Sequence, residues 1–116
     1  MKRLRNHLIG VDQGDVVLFS DFQTDGDMWV GNGQRQMRTH VAFAESFRSV
    51  PVVHVTMSMW DVSNGSNNRA DVSAEDVDEA GFAIVFRTWG DTSVARIRVG
   101  WMAIGELRQA DEWDLY

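Results

Sequence analysis

Apolar residues recur at every second position through the middle of the chain: Val53, Val55, Met57 and Met59 alternate with His54, Thr56, Ser58 and Trp60. Successive side chains of a strand point to opposite faces, so this run predicts a strand buried on one side. The same period returns elsewhere. Val16, Leu18 and Ser20 oppose Val17 and Phe19, Val41 and Phe43 oppose His40 and Ala42, and Ala70, Val72 and Ala74 oppose Asp71, Ser73 and Glu75. Further on, Phe82, Ile84 and Phe86 oppose Ala83, Val85 and Arg87, and Ile97, Val99, Trp101 and Ala103 oppose Arg96, Arg98 and Met102. About six strands is a typical number for a small sandwich.

The gaps carry turn chemistry: Thr24-Asp25-Gly26-Asp27, Gly31-Asn32-Gly33, Ser63-Asn64-Gly65-Ser66-Asn67-Asn68, Glu79-Ala80-Gly81 and Gly90-Asp91-Thr92-Ser93. Gly, Asn and Asp tolerate left-handed backbone at little cost, which makes these turns by mechanism. Residues 86–98, FRTWGDTSVARIR, read as a β-hairpin around the last of them. Residues 72–80 are acid-rich and are the best helix candidate, yet Ala70, Val72 and Ala74 keep period two, so strand plus turn fits better. The elements predict an all-β fold, a six-stranded antiparallel β-sandwich. Its expected organisation is a lead-in over 1–14, the sandwich over 15–106, and an acidic, aromatic tail over 107–116 that reads as an edge strand or a docking tail.

Composition narrows the function classes. A chain of 116 residues, 44% hydrophobic and 24% charged, supports one domain with one core. A formal charge of −6 argues against nucleic acid, whose phosphates are bound by clustered Lys and Arg, and disfavours an anionic membrane surface. Without cysteine there is no disulfide framework, thiolate nucleophile or Cys-ligated metal. The basic start lacks the roughly 7–15-residue apolar stretch of a signal peptide, and nothing approaches a ~20-residue membrane span. The chain therefore reads as soluble and without membrane insertion; work outside the cell would require lysis, another secretion route or a larger particle.

Catalytic and metal signatures are weak. His7, His40 and His54 share no ligand spacing, so no metal or other cofactor is expected. Most acids sit in turns, Ser20, Ser46 and Ser58 lie in no nucleophile elbow, and no glycine loop opens a helix. The expectation is a protein that is not an enzyme. Arg87, Arg96 and Arg98 point off the apolar face, as do Asp71, Ser73 and Glu75, and adjacent strands would pair them. Such a face is either solvated or a polar seam between identical subunits. Of the five tryptophans, Trp101 keeps the phase of Ile97 and Val99 and reads as core. Trp60 and Trp89 fall on the opposite register beside loops, as caps on the core or as flat binding platforms.

Three segments, VAFAESFRSVPVVHVTMSMWDV (41–62), NNRADVSAEDVDEAGFAIVFRTWGDT (67–92) and VGWMAIG (99–105), resemble the H-type lectins, the family of snail agglutinins and the discoidin C-terminal domain. Its landmarks are Phe43 and Phe47, Asp61, the Asn68-Arg69 pair, Gly81-Phe82, Thr88-Trp89 and Trp101. The resemblance implies a sandwich assembled as a homotrimer, in some relatives stacked into a hexamer, with the lead-in near the threefold axis. It further implies metal-free, non-catalytic recognition of galactose or N-acetylgalactosamine glycans in clefts between protomers. By position, Arg69 matches an arginine that hydrogen-bonds sugar hydroxyls and Trp89 a tryptophan lining the cleft from the neighbouring chain. Asn32 stands where the family has a hydroxyl-binding aspartate, and Gly90 where an agglutinin has a histidine on the acetamido group. Ala95 replaces an aromatic. These changes imply weaker, uncharged acceptance at Asn32 and a roomier pocket. Asp91 is a separate candidate for the missing carboxylate, suggested by its place beside Gly90 alone. A different class of function, an assembly module of a phage-like particle or cell surface with an altered sugar site, is the alternative.

Overall fold

The computed structural model describes residues 1–5 and 8–108. Among the described residues six strands form two antiparallel three-stranded sheets, in line with the six-stranded antiparallel sandwich that the alternation predicts. They are β1 (Ile9–Ser20), β2 (Arg35–Ala42), β3 (Val52–Val62), β4 (Asp71–Glu75), β5 (Gly81–Thr88) and β6 (Val94–Glu106), with a one-turn helix α1 (Asp27–Val30) between β1 and β2. One sheet has the order β1-β6-β3 and the other β2-β5-β4.

The central strands carry the core. Phe82, Ile84 and Phe86 of β5 and Ile97, Val99 and Ala103 of β6 are fully buried, each set on the phase that its sequence period assigns. Trp101 packs with them, its ring 5.5 Å from Phe82 and 6.1 Å from Phe43, and Phe43 meets Phe47 edge to face at 5.0 Å. This aromatic group closes one end of the sandwich. The core reading of Trp101 therefore holds.

The outward side of β5 is buried as well. Arg38 of β2 reaches Glu75 of β4 at 4.0 Å, while Arg87 bonds Glu75 at 2.9 Å. These side chains span β5 and cover Ala83 and Val85, as long charged stems can.

Four expectations need correction. Residues 86–98 are not a hairpin: β5 and β6 lie in different sheets, and the chain arches across the core between them. For that reason Arg87 alone of the three arginines meets the acids of β4, whereas Arg96 pairs with Asp61 at 3.0 Å and Arg98 with the Ser58 hydroxyl at 3.0 Å on β3. The first strand starts at Ile9, pairing from Ile9↔Glu106 onward, so part of the supposed lead-in is sheet. The turn expected around 24–27 is present, with Asp25 at φ +51°, but the reading without any helix is not: Asp27–Val30 form helix α1, which inserts Met28 into the core. Within β1 the ladder slips between Val17 and Phe19, and this bulge turns both Leu18 and Phe19 inward. Most of the tail expected over 107–116 lies outside the described residues; Leu107 donates its backbone N–H to Leu8 at 2.9 Å.

Candidate functional site

Because most connections cross between the sheets, the β1–β2 loop, the β3–β4 loop and the β5–β6 arch all emerge at one end of the sandwich. The registers place them there: Ser20 faces Arg96, Val62 faces Val94, and Arg35 faces Thr88. The five sequence candidates lie on these three connections. Asn32 belongs to the first, Arg69 to the second, and Trp89, Gly90 and Asp91 to the third.

Asp21 shapes the first loop. Its carboxylate accepts the Met28 N–H at 3.0 Å and its carbonyl the Gly26 N–H at 2.9 Å, and its own N–H donates to Ala95 at 2.7 Å. Asn32 follows, exposed, with its side-chain oxygen accepting the Gly33 N–H at 2.9 Å. Gly33 has φ +78° and also donates to the Gly90 carbonyl at 2.9 Å, which joins the first loop to the arch.

The strongest link between them is one that the alternation hid. Arg35 is 6% exposed, on the inward phase of β2 with Met37, Thr39 and Val41. Its guanidinium donates to backbone carbonyls on both sides: Gly33 at 3.0 Å and Met28 at 3.1 Å in the loop, Thr92 at 2.7 Å and Gly90 at 3.3 Å in the arch. A five-donor planar fork suits this work better than any other side chain. In the sequence Arg35 shows only as a cation in phase with Met37, Thr39 and Val41, which by itself does not tell an inward side chain from the end of the strand.

The second loop is tied to the arch by two threonines. Thr88 donates its hydroxyl to the Arg69 carbonyl at 2.6 Å, and the fully buried Thr92 donates to the Asn67 carbonyl. Arg69 thus projects over Gly90. Its Nη1 donates to Asp91 at 2.6 Å, to the Thr92 hydroxyl at 3.2 Å and, at 3.5 Å, to the Trp89 carbonyl. Nη2 and Nε make no such bond among the described residues. The Arg69 hydrogen bond holds the Asp91 carboxyl below the usual range; desolvation opposes it, and the Arg69 charge adds to the lowering.

Gly90 does not leave the gap that replacement of a histidine suggests, because the Arg69 guanidinium lies against it. Ala95 is 4% exposed and lines a separate cleft with Phe22, Trp29, Asp61 and Arg96, where Phe22 and Trp29 pack edge to face at 5.0 Å. Trp89 and Trp60 are 44% and 63% exposed, too open for core caps. The Trp89 indole borders a surface cleft of about 610 Å³ with Gln34, Gln36, Asp71 and Arg87, none of which was a sequence candidate.

Such a sandwich, with an aromatic, a guanidinium and a carboxylate on converging loops, has the architecture of a β-sandwich lectin domain. The chain belongs to the H-type lectin domain family, whose sequence model matches residues 38–104. It is 49% identical over 107 residues to the protein called ATP synthase subunits region ORF 7 of Fuscovulum blasticum, covering 92% of this chain and 93% of that protein. It is 29% identical over 75 residues to Discoidin-2 of Dictyostelium discoideum, covering 64% of this chain and 29% of that one. The solved structure of recombinant discoidin II from the same organism superposes with a TM-score of 0.73 at 25% identity, over 90% of this chain and 39% of that chain. This chain thus spans about two fifths of the discoidin structure it matches. The tailspike protein of Pseudomonas phage LKA1 shares the fold, with a TM-score of 0.52 at 15% identity over 86% of this chain and 15% of that one.

Proposed function

We propose that this chain is a non-catalytic glycan-binding domain for galactose or N-acetylgalactosamine-type sugars, and that it binds them without metal in clefts between protomers of a trimer or hexamer. The observation that carries this reading is the convergence of Asn32, Arg69, Trp89 and Asp91 at one end of the sandwich, with Arg69 locked by Asp91 at 2.6 Å. A sugar offers an apolar ring face and a rim of hydroxyls, which calls for a flat aromatic beside planar donors and acceptors. Asp91 supplies a charged acceptor next to the neutral amide of Asn32, and Nη2 and Nε of Arg69 supply donors. Because Arg69 keeps Asp91 ionised, that carboxyl is unsuited to general-acid catalysis of glycoside hydrolysis.

Assembly is supported by the outer face of the β1-β6-β3 sheet. Val11, Val17, Val52 and Met102 on it are 61%, 52%, 46% and 41% exposed, an apolar surface that suits burial against copies of the same chain. Shallow single sites bind weakly, and several on one rigid assembly gain avidity.

A glycan array probed with the wild type and Arg69→Ala tests the reading. Expected is wild-type binding to galactose-terminated glycans and its loss in the variant. Absence of any glycan binding at high protein concentration would favour the assembly-module alternative, and a stable monomer in sedimentation would sink the shared cleft.

A further inference from the structure

The cleft beside Trp89 lies next to the proposed sugar corner, and none of its lining residues but Trp89 has a sugar-binding role there. It is lined by Arg87 and Thr88 at the end of β5 and by Trp89, which continues directly into Gly90 and Asp91. Its wall is Ala70-Asp71, which follows Arg69. The opposite side is Gln34 and Gln36 of the segment that begins β2. Both halves of the proposed corner therefore run into this cleft, and Trp89 belongs to both.

The outward row across the sheet is Gln36, Arg87 and Asp71, one residue from each of β2, β5 and β4 in register. The row offers an amide, a guanidinium and a carboxylate at the spacing of adjacent strands, about 5 Å apart. With an indole at its end, it presents planar donors and acceptors around one apolar plate. The volume of about 610 Å³ is within the range of small-molecule sites, roughly 300–1,000 Å³.

Charge decides which hydroxyl-rich ligand fits. Arg87 bonds Glu75 at 2.9 Å and lies 3.8 Å from Asp71, so its positive charge is already matched. Arg35, the other cation at the cleft, is committed to backbone carbonyls at 2.7–3.4 Å. A phosphate, sulfate or sugar acid would find no uncompensated cation there, whereas neutral hydroxyls would find both donors and acceptors.

Resting on the glycan-binding reading above, we propose that the Trp89–Gln36–Arg87–Asp71 cleft is an extension subsite that takes the second, uncharged saccharide ring of a glycan whose terminal ring sits at Arg69 and Asp91. The domain then reads at least a disaccharide, and Gln36 is a specificity-determining residue.

Titration calorimetry on the assembled protein tests this with galactose, a galactose-terminated neutral disaccharide, and the same disaccharide bearing a carboxylate. In the wild type the neutral disaccharide is expected to bind about tenfold tighter than galactose, the gain of roughly one or two net hydrogen bonds. In Gln36→Ala that ratio falls towards one, while in Arg69→Ala both ligands weaken together. The carboxylate-bearing disaccharide gains nothing over the neutral one. A wild-type ratio near one, or Gln36→Ala weakening both sugars equally, would overturn the subsite and leave the Arg69 corner standing. If Gln36→Ala instead changes the sedimentation behaviour, the cleft is a seat for a neighbouring copy and the proposal fails. Binding of no saccharide at all overturns both readings.

Discussion

Gly90 and Arg69 compete for one space: a Cβ built on Gly90 would lie 2.7 Å from Nη1 of Arg69, and Gly90 itself has φ +68°. Two independent requirements therefore disfavour a side chain here, one steric and one conformational. Gly90→Ala is expected to destabilise the domain by about 1–2 kcal/mol through left-handed strain, and to push Arg69 off Asp91. Urea unfolding reads the first effect and loss of glycan affinity the second. An unchanged midpoint with unchanged binding would show that the arch adapts freely.

Arg35 is the second point of attack. Its acceptors also include the Asp27 carbonyl at 3.4 Å; the carbonyls of Gly90 and Asp27 receive further N–H groups from Gly33 and Gly31, which leaves Gly33, Met28 and Thr92 to lose most. Three carbonyls left without a strong donor, two of them in buried bonds, predict a loss of about 2–4 kcal/mol in Arg35→Met. Arg35→Lys keeps the charge but not the fork, and should recover only part of this. Hydrogen exchange at the Gly33 amide, which bonds Gly90 at 2.9 Å, should accelerate in both variants before global unfolding.

Asp91 sets a pH limit. Its folded-state carboxyl titrates below the ordinary value because Arg69 bonds the charged form. A depressed folded value means that the pair's contribution is present above the unfolded value, roughly pH 4, and is lost as pH falls through the lower, folded one. Glycan affinity should therefore be flat from neutral pH down to about pH 5 and fall below about pH 4. In Asp91→Asn that acid-side fall should vanish, at a lower plateau. Glu75 shifts the same way, through its Ser73 and then its Arg87 hydrogen bonds, so the ion network on the β2-β5-β4 sheet weakens over the same acidic range.

The tryptophans should separate function from folding. Trp89→Ala removes a residue that is 44% exposed, and is expected to abolish glycan binding with the oligomer and the unfolding midpoint little changed. Trp101→Ala empties a site packed on Phe43 and Phe82 and should cost about 3–5 kcal/mol. Dissociation or unfolding of Trp89→Ala would make Trp89 a packing residue and remove the platform.

Much of the fold was legible because one-sided burial writes period two into a strand. The inward sets of β5 and β6, and Val53, Val55 and Met57 of β3, are those that the alternation named, whereas a register shift after Met57 pairs Met59 with the outward Arg98; the glycine and asparagine clusters mark the connections. The bulge in β1 was not legible, since Leu18 and Phe19 are both apolar and a slipped register leaves no mark on composition. Nor was the inward cation Arg35, because a charged residue at an apolar phase reads as the end of a pattern.

The candidate site divides the same way. Asn32, Arg69, Trp89, Gly90 and Asp91 could be named from the sequence, but their mutual geometry could not. Alternation in residues 82–86 and 97–103 states that each strand has one apolar face. It is equally satisfied by strands side by side in one sheet and by strands facing each other across a core. Only the tertiary structure decided for the second, through Gly90 at positive φ, the buried Thr92 and the Arg35 fork on the carbonyls of the arch. That choice carries Arg87 to one sheet and Arg96 to the other, sets Arg69 over Gly90, and opens the cleft beside Trp89. The physical reason is that strand period is a local property of one chain segment, whereas sheet partnership depends on hydrogen bonds between residues far apart in sequence.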